Sequence, residues 1–440
     1  MTLRILHFAD LHLGVENYGR LDPATGLHSR VADFAACLRF TFDAAIEQRA
    51  DLVLFAGDAY KTCDPSPTFQ REFAAQLQRL QQENIPVVLL VGNHDIPAAF
   101  GRATSLDIFA ALRLDNTFVI RRPEMLRIDT ASGPVQIAGL PWPTRHWLRT
   151  RDEYSDLDHE QLNEKIAEIC DEQIDSFARD LDPALPALLT AHITAAEAIF
   201  SGSERTAVIG QDPVLLTGAL ANPAFDYVAL GHVHRHQDLH PQARPPVVYS
   251  GSIERIDFGE ENDEKGFCLV SIEGEGAERR TEYEFVPTPA RRFTTVNARL
   301  EPEDEDPTLA VVEAVEEADV EDAVVRVYYE VPAGAPLRID LERVQQALEP
   351  AYFVAGIHPR VAPKVRQRRV EVSEDLGIRD ALDRYIENRP DLHERRDLLL
   401  QRAAELETEL ETPAAADPDP APAPPPQPVA DAGAQADPAP

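Results

Sequence analysis

The sequence is poor in cysteine and has no long apolar run. Its four cysteines are scattered and form no C-x-x-C pair, which argues against a disulfide framework and predicts reduced thiols: Cys37, Cys63, Cys170 and Cys268. No apolar stretch is long enough to cross a bilayer, so we expect no membrane partner. The N-terminus enters a strand-like segment at once, without the layout of a signal peptide. We therefore expect the protein to remain in the cytoplasm.

Positive charge is also scarce. The 42 Lys and Arg residues are outnumbered by 76 Asp and Glu residues, which gives a formal net charge of −34. Because phosphate binding depends on Lys and Arg, this balance disfavours a protein that grips nucleic acid along its whole surface. It still allows a local basic patch, bound metal ions or a basic partner. The 440 residues, 44% of them hydrophobic, can bury a sizeable core and predict two or three domains.

Apolar strands alternate with amphipathic helices in the first part of the chain. Strands are predicted at residues 4–8, 52–56 and 87–91, and helices at 31–48 and 68–82. This order is typical of an α/β fold with parallel strands and helices packed on them. Later segments predict antiparallel additions, a helix, two more buried strands and a closing hairpin: 117–120, 124–128, 135–140, 159–180, 187–191, 227–230, 266–272 and 281–286.

Polar side chains follow five of the predicted strands, where open α/β sheets bind their ligands. They are Asp10 and His12, then Asp58, then Asn93, His94 and Asp95, then His192, and finally His232 and His234. The i, i+2 spacing within the first and last clusters points both side chains to the same side of an extended backbone. We therefore expect these clusters to converge on one centre.

The chemistry of this set favours metal ions. Imidazole, carboxylate and amide oxygen suit manganese, iron or zinc, whereas calcium prefers a site made only of oxygen atoms. Without His94 and Asp95, the set offers seven ligands, too many for one ion with open positions. It fits two ions that share a bridging carboxylate, for which Asp58 is the best candidate. Two metals roughly 3.5–4 Å apart clamp the attacking and leaving oxygens of a phosphoryl transfer.

The ordered set resembles the calcineurin-like metallophosphoesterase family, whose pattern is D-x-H, G-D, G-N-H-D, H and G-H-x-H. The resemblance covers about residues 3–290 and implies a four-layer α/β/β/α sandwich. Further segments resemble the SbcD-type DNA repair exonucleases, the nuclease subunits of SbcC–SbcD complexes: residues 8–14, 56–58, 65–67, 231–235 and 248–252.

This resemblance implies a role for each residue of the site. Two divalent ions, most often manganese, would be held by Asp10, His12, Asp58 and His234 at the first position, and by Asp58, Asn93, His192 and His232 at the second. His94 would act as the general acid or stabilise the leaving 3′-oxygen. Asp95 would orient His94 through its other ring nitrogen.

The character of the sequence changes at residues 287–289. After a nuclease domain at 1–290, we expect a small α+β cap domain over DNA at 291–372 and a charged helical segment at 373–411. The Pro, Ala and Asp residues of 412–440 cannot bury a core and predict a disordered tail. Candidate phosphate contacts are Lys61, Arg360, Lys364 and Arg366. A solvated loop lysine and a solvated basic strand are the alternatives.

The resemblance implies a 3′–5′ double-strand exonuclease and single-strand endonuclease that acts on DNA ends and hairpins in double-strand-break repair. The partners would be DNA, a second copy of the chain and, at 373–411, the coiled coil of an SbcC-type ABC ATPase. A helix packed on its own cap is the alternative for 373–411, and the dimer surface could be residues 69–80 or the region after Phe100. Two other functions remain open: hydrolysis of a small phosphodiester or phosphomonoester, and a non-catalytic DNA/ATPase scaffold.

Overall fold

The described part of the chain divides into two compact units. The computed structural model describes residues 2–97, 101–112, 114–145, 154, 156–202, 212–301, 304–332, 338–361, 382–383, 385–386 and 390–411. The first unit is Met1–Ala362 and the second is Pro363–Pro440. The predicted metal ligands all belong to the first unit.

The N-terminal strands form a six-stranded sheet with the hairpin at residues 266–287. Its strands are β1 Thr2–Phe8, β2 Leu52–Phe55, β3 Val87–Leu90, β4 Thr117–Ile120, β13 Gly266–Glu273 and β14 Arg280–Pro287. They lie in the order β14-β13-β1-β2-β3-β4. Strands β1 to β4 are parallel, and β13 is antiparallel to both β1 and β14. The predicted β-α-β-α-β order and the closing hairpin are thereby confirmed.

A second six-stranded sheet faces the first. Its strands are β5 Glu124–Thr130, β6 Gly133–Leu140, β7 Ala187–His192, β10 Tyr227–Gly231, β11 Gln237–Asp238 and β12 Val247–Tyr249, in the order β11-β12-β10-β7-β6-β5. The four inner strands are parallel, and the edge strands β5 and β11 are antiparallel. A separate two-stranded pair consists of β8 Thr194–Ala195 and β9 Val214–Leu215.

Helices cover the outer face of each sheet. The first sheet carries α1 Ser29–Glu47, α2 Pro67–Gln82 and α3 Asp107–Ala111, and the second carries α4 His159–Asp180 and α5 Thr217–Leu220. A third apolar core lies between the sheets, where residues such as Leu54 and Val88 meet Leu188 and Ala229. The predicted four-layer α/β/β/α sandwich is confirmed. This arrangement puts the carboxyl ends of the parallel strands of both sheets along one edge.

One predicted strand pairing is wrong. Residues 117–120 were expected to add an antiparallel strand, but β4 runs parallel to β3. The short helix α3 lies between the two strands, so the chain returns to the starting end before β4 begins. Of the later segments, β5 and β6 form the expected antiparallel pair, while β6 is parallel to β7 on its other side.

The cap is a small unit of helices and strands, as predicted. Its elements are β15 Phe293–Arg299, α6 Pro307–Glu317, β16 Val324–Val331, α7 Leu341–Ala347 and β17 Phe353–Val361. All three strands are parallel in the order β15-β16-β17, and the helices bury residues such as Val311 and Val344 against one face. Strand β17 has no counterpart among the predicted elements, because its basic end obscures the apolar alternation. The predicted boundary at residue 372 lies outside the described residues.

Buried charges join helix α1 to the segment that enters the cap. The Arg30 guanidinium is fully buried and lies 2.8 Å from Asp33 and 3.4 Å from Glu254. Both carboxylate oxygens of Glu254 accept from the backbone N–H of Arg291, at 3.1 and 3.0 Å. The Arg291 guanidinium in turn binds Asp33 at 2.7 Å. Because these charges are out of water, each depends on its partners for compensation.

The second unit contributes one long helix to the described residues. A 3₁₀ turn at Pro390–Arg395 leads into α8 Arg396–Glu411, within the segment predicted to be helical. Arg396 binds both carboxylate oxygens of Asp383 at 2.7 Å. Residues 371–381 and the predicted disordered tail at 412–440 lie outside the described residues. Over the residues that are described, no helix has both the length and the apolar character needed to cross a membrane.

The Arg30 cluster generates a stability prediction. Arg30→Met should lower the free energy of unfolding by about 3–5 kcal/mol, because Glu254 would remain buried without its guanidinium partner. Urea denaturation followed by circular dichroism measures the change. Arg71→Met is the matched control, since the Arg71 side chain is 68% exposed and pairs with its neighbour Glu72. A loss below roughly 1 kcal/mol in Arg30→Met, as expected for a surface pair, would contradict the prediction.

Candidate metal centre

The structure brings the predicted ligands together at one edge of the sandwich. They follow the carboxyl ends of β1, β2, β3, β7 and β10, as the sequence predicts. The buried members are Asp10, His12, Asp58, His192, His232 and His234, while Asn93 is half-buried and His94 is exposed. Since five strands of two sheets supply these side chains, the centre depends on how the sheets are packed together.

The backbone around the ligands is not extended. Asp10, His12, Asp58 and His232 have φ angles of 52°, 46°, 63° and 99°, in the left-handed region that non-glycine residues rarely adopt. The expectation that i, i+2 spacing in extended backbone aligns the paired side chains is therefore wrong. The strands have already ended, and tight turns aim the side chains instead. Such turns cost on the order of 1–3 kcal/mol per residue and are typical of functional sites.

Two loops hold each other in place beneath the ligands. The amide of Asp10 donates to the Gly57 carbonyl at 2.9 Å, and the amide of His12 donates to the Asp58 carbonyl at 3.0 Å. Gly92 allows the third loop to approach, because a Cβ atom there would lie 2.2 Å from Asp58 Oδ1. The close packing of these backbones fixes where the carboxylates of Asp10 and Asp58 point.

The first ligand group is formed by Asp10, His12 and His234. One ligand atom from each lies within 4.8 Å of the others. The Nε2 atoms of His12 and His234 are 3.0 Å apart, and His12 Nε2 is 3.7 Å from Asp58 Oδ2. The side chains expected to hold the first ion are therefore within reach of one cation.

The second ligand group surrounds the other side of Asp58. Asn93 Oδ1 lies 2.9 Å from His192 Nε2 and 3.1 Å from His232 Nδ1. His192 Nε2 is 3.4 Å from Asp58 Oδ2, and ligand atoms of Asp10, Asp58 and His192 lie within 4.8 Å of one another. Asp10 and Asp58 both lie within reach of the two groups, and Asp58, between His12 and His192, has the position expected of a bridging ligand.

The hydrogen bonds of His192 test whether a cation fits. Its Nδ1 donates to the Ala56 carbonyl at 2.7 Å, so Nε2 carries the lone pair in the neutral ring. That lone pair faces the oxygens of Asn93 and Asp58, which are also acceptors. Burial lowers the pKa of His192, but the Asp58 carboxylate outweighs burial and raises it to about 9, so at neutral pH a proton takes up this lone pair and supplies the positive charge unless a cation does so. Three acceptors that meet in this way require positive charge between them, and a divalent ion suits this donor set.

Asp58 is stabilised in its charged form by the surrounding imidazoles. Burial alone would raise its pKa, but His192, His12 and His94 together hold the pKa well below its usual value. The backbone amide of His94 also donates to Asp58 Oδ1 at 2.8 Å. Asp58 is therefore a carboxylate, which is the form that metal coordination requires.

His94 lies beside the first group with its ring exposed. The centroids of the His12 and His94 rings are 4.7 Å apart. His94 Nδ1 is 2.9 Å from the carbonyl oxygen of Lys61, so it is the backbone of Lys61 that holds this ring. The expectation that Asp95 orients His94 is wrong, because the ring nitrogen has this other partner and the Asp95 carboxylate is engaged elsewhere.

Asp95 instead connects the loops that carry the predicted metal ligands, through hydrogen bonds to their backbone amides. Its Oδ2 accepts from the amides of Asp58 and Gly92, both at 3.0 Å. Its Oδ1 accepts from the amide of Ala59 at 3.2 Å and from the Ser105 hydroxyl at 2.7 Å. Burial, followed by the charge of Asp58, raises the pKa of Asp95 to about 6. Asp95 therefore positions Asp58 rather than His94.

Three residues of the site have no counterpart in the sequence motifs. Glu260 Oε1 lies 2.8 Å from His234 Nδ1, and Asp212 Oδ2 lies 3.2 Å from His232 Nε2. The ring of Trp142 lies 4.8 Å from the ring of His232. Glu260 ends a short 3₁₀ turn and Asp212 lies outside the helices and strands, so no spacing relative to the motifs indicates them. Trp142 could have been found, because it follows strand β6 at the same edge of the sheet.

The candidate DNA contacts lie outside this cluster. The Lys61 side chain is exposed near the site, and its phosphate-binding role stays a prediction. Arg360 is exposed on β17, with its guanidinium 3.5 Å from the centre of the Tyr328 ring. Lys364 and Arg366 lie outside the described residues.

The role of Asp95 can be tested by an isosteric substitution. Asp95→Asn places an amide group against two of the four donors, so it should destabilise the protein by about 1–3 kcal/mol and weaken manganese binding. Thermal unfolding of the metal-free protein and calorimetric manganese titration measure both effects. Ser105→Ala is the control, since it removes one donor and leaves the other three. Loss of catalysis with unchanged stability and metal affinity would instead restore the role in orienting His94.

Known proteins resemble this chain in the same region. Residues 3–236 match the calcineurin-like phosphoesterase family. The SbcD subunit of nuclease SbcCD from Bacillus subtilis is 28% identical over 274 residues, 61% of this chain and 66% of the relative. The corresponding SbcD protein of Escherichia coli K12 is 31% identical over 283 residues, 61% of this chain and 65% of the relative. The chain thus spans slightly less than two thirds of these relatives, and the predicted resemblance to SbcD-type nucleases is confirmed.

A solved structure, a dimetal phosphatase from Danio rerio, is 11% identical and covers 63% of this chain and 98% of its own, with a TM-score of 0.36. Assignment to a family rests on the sequence match, which extends over more than half of the chain. The chain belongs to the calcineurin-like phosphoesterase family.

Proposed function

We propose that this protein is a two-metal, manganese-dependent nuclease that hydrolyses phosphodiester bonds at DNA ends and hairpins. Its repertoire would be 3′–5′ double-strand exonuclease and single-strand endonuclease activity in double-strand-break repair, with related roles in recombination and replication. The observation that carries the proposal is the meeting of two acceptor groups at Asp58, beside an exposed histidine. The names of the B. subtilis and E. coli relatives support DNA as the substrate.

In this proposal the ligands divide as the two groups suggest. Asp10, His12, Asp58 and His234 hold the first ion, and Asp58, Asn93, His192 and His232 hold the second. Two divalent ions supply charge to the attacking and leaving oxygens of an in-line displacement. The chain's own contribution is to fix the ligands through the loops that Asp95 ties together.

His94 is the proposed general acid. A carbonyl oxygen only accepts, so the Lys61 carbonyl keeps a proton on Nδ1 of His94 in both charge states. Nε2 is therefore the atom that can give a proton to a leaving oxygen. Its exposure allows a substrate to reach it, whereas the buried metal ligands are already committed to one another.

The cap favours nucleic acid over a small ester. The sheet face away from α6 and α7 presents Arg326 and Arg360 beside the ring of Tyr328. Arg299 lies on the same face, where Glu330 is placed between it and Arg360. In a chain with a net charge of −34, such a face is a local site for phosphates. An aromatic ring among the cations also offers a surface on which bases stack. Lys61, Lys364 and Arg366 are proposed as further phosphate contacts.

The proposed organisation places each partner on its own part of the chain. The nuclease domain at 1–290 binds the metals, the cap at 291–372 contacts DNA, and 373–411 docks on the coiled coil of an SbcC-type ABC ATPase. The tail at 412–440 would remain disordered. A homodimer would form through the groove between α2 and α3, where Ile108 and Leu112 are exposed. The proposed compartment is the cytoplasm.

Substitution of His94 tests the proposal. His94→Ala should lower manganese-dependent cleavage of linear duplex and hairpin DNA by about 10²–10⁴-fold, the usual contribution of a general acid. It should leave manganese affinity within a few-fold of the unaltered protein, because all the proposed ligands of the two ions remain in place. Gel-based cleavage and calorimetric titration provide the two measurements.

The substrate comparison belongs in the same experiment. A generic phosphodiester and a generic phosphomonoester, assayed beside the DNA substrates, separate a nuclease from a small-ester hydrolase. Activity on the small esters alone would contradict the DNA assignment. Manganese binding without any cleavage would indicate the non-catalytic scaffold, and native cleavage by His94→Ala would show that another group is the acid.

A further inference from the structure

A short turn near the cap is attached to the metal ligand His234. His234 Nδ1 lies 2.8 Å from Glu260 Oε1, and the Glu260 side chain is fully buried. The second oxygen of Glu260 binds the ammonium of Lys265 at 3.0 Å and the amide of Ile256 at 2.9 Å. Lys265 is also buried, and it donates to the carbonyl oxygen of His234 at 3.0 Å. Glu260 thus contacts the ring of His234, and Lys265 contacts its backbone.

These contacts decide which nitrogen of His234 faces the metal position. A carboxylate only accepts, so Nδ1 of His234 donates and Nε2 carries the lone pair in the neutral ring. That Nε2 lies 3.0 Å from Nε2 of His12, inside the first ligand group. The buried ion pair therefore sets both the tautomer and the direction of the ring.

The same turn is held on its other side by the cap. Glu261 Oε1 accepts from the amide of Thr295 in β15 at 2.6 Å. The ring of Phe258 packs edge-on against Phe293 of β15, with centroids 4.9 Å apart. Above it, the guanidinium of Arg326 in β16 lies 4.2 Å from the centre of the Phe258 ring. Consecutive residues of one turn thus contact the cap sheet and the metal ligand.

We infer that Glu260, braced by Lys265, is a positioning residue for His234, and that its turn (residues 257–261) couples the placement of cap strand β15 to the first metal position. The inference rests on the proposed role of His234 as a metal ligand. If the cap strand shifts, the turn moves and His234 loses its alignment. Because coupling between two sites is reciprocal, metal binding also stabilises the contacts of β15 with the turn.

The first experiment removes the ion pair while keeping the side-chain volumes. In the full-length Glu260→Gln/Lys265→Met variant, the weaker hold on His234 should lower manganese affinity at one of the two positions by about 10–100-fold. Electron paramagnetic resonance titration with manganese measures the affinities. The visible spectrum of the cobalt-loaded protein reports a changed ligand field. Asp306→Asn/Arg343→Met is the matched control, because it removes an exposed ion pair of the cap away from this turn.

The second experiment cuts the link to the cap. Glu261→Met/Thr295→Val removes both hydrogen bonds between Glu261 and Thr295 of β15 but leaves Glu260 and Lys265 unchanged. Manganese affinity at the same position should fall several-fold. In the unaltered protein, manganese should slow hydrogen exchange of the Thr295 amide, and this protection should disappear in the variant. Unchanged affinity together with metal-independent exchange would overturn the coupling to the cap.

The outcomes separate this inference from the proposed function. His234→Ala should weaken manganese binding if the proposed centre is correct, and unchanged binding would overturn the centre itself. Weakened binding in His234→Ala with native binding and cobalt spectrum in Glu260→Gln/Lys265→Met would overturn only the positioning role. Should the double variant fail to fold, Glu260→Asp keeps the charge pair but shortens the reach to His234. It is expected to lower the affinity as well, and native affinity there would equally overturn the role.

Discussion

The centre depends on one electrostatic constraint, which is that too many acceptors meet at Asp58. The carboxylates of Asp58 and Asp10 and the lone pair of His192 are buried at the junction of two sheets. Burying negative charge without compensation costs far more than the marginal stability of a folded protein. The surrounding structure therefore has to place cations there, through imidazolium rings or through metal ions. The close approach of the loops at Gly92, the left-handed turns and the hydrogen bonds that Asp95 accepts all hold these acceptors close together.

The same constraint explains why residues far from the metals matter. Three of the histidines that face the centre have their other nitrogen held by a partner, which is the Ala56 carbonyl for His192, Asp212 for His232 and Glu260 for His234. These partners fix the tautomers, so that lone pairs point inward. The turn with Glu260 reaches further and connects the centre to the cap. The candidate metal centre and the cap strand β15 therefore both contact the same turn, residues 257–261.

Much of this could be predicted from the sequence, for identifiable reasons. Apolar runs that end in polar residues indicated where the strands end. Because parallel strands bring such ends to one edge of a sheet, the sequence correctly predicted that four side chains meet there: Asp10, Asp58, Asn93 and His192. Predictions failed where tertiary contacts decide the backbone conformation or the hydrogen-bond partner. The turns at Asp10 and His232 are left-handed because the loops interlock, and Asp95 bonds to backbone amides that only the folded loops bring near it.

The partners of the histidines were missed for a related reason. Glu260 belongs to a 3₁₀ turn too short to show periodicity, and Asp212 lies outside the helices and strands. Nothing in the local sequence marks an acid that will bond to an imidazole elsewhere in the chain. The parallel pairing of β4 likewise depends on where the chain crosses the sheet, which periodicity does not record. Local patterns therefore predicted the elements and most of the side chains that meet at the candidate centre, whereas the supporting contacts required the fold.

The central claim, that Asp58 bridges two metal ions, is tested most directly by magnetic resonance of the manganese-loaded protein. Titration of the full-length chain should reach two manganese ions per molecule and give the multiline spectrum of an exchange-coupled pair. Asp58→Asn should abolish the coupled spectrum and lower the affinity for both ions. A single bound ion in the unaltered protein, or a coupled pair that survives in Asp58→Asn, would contradict the account.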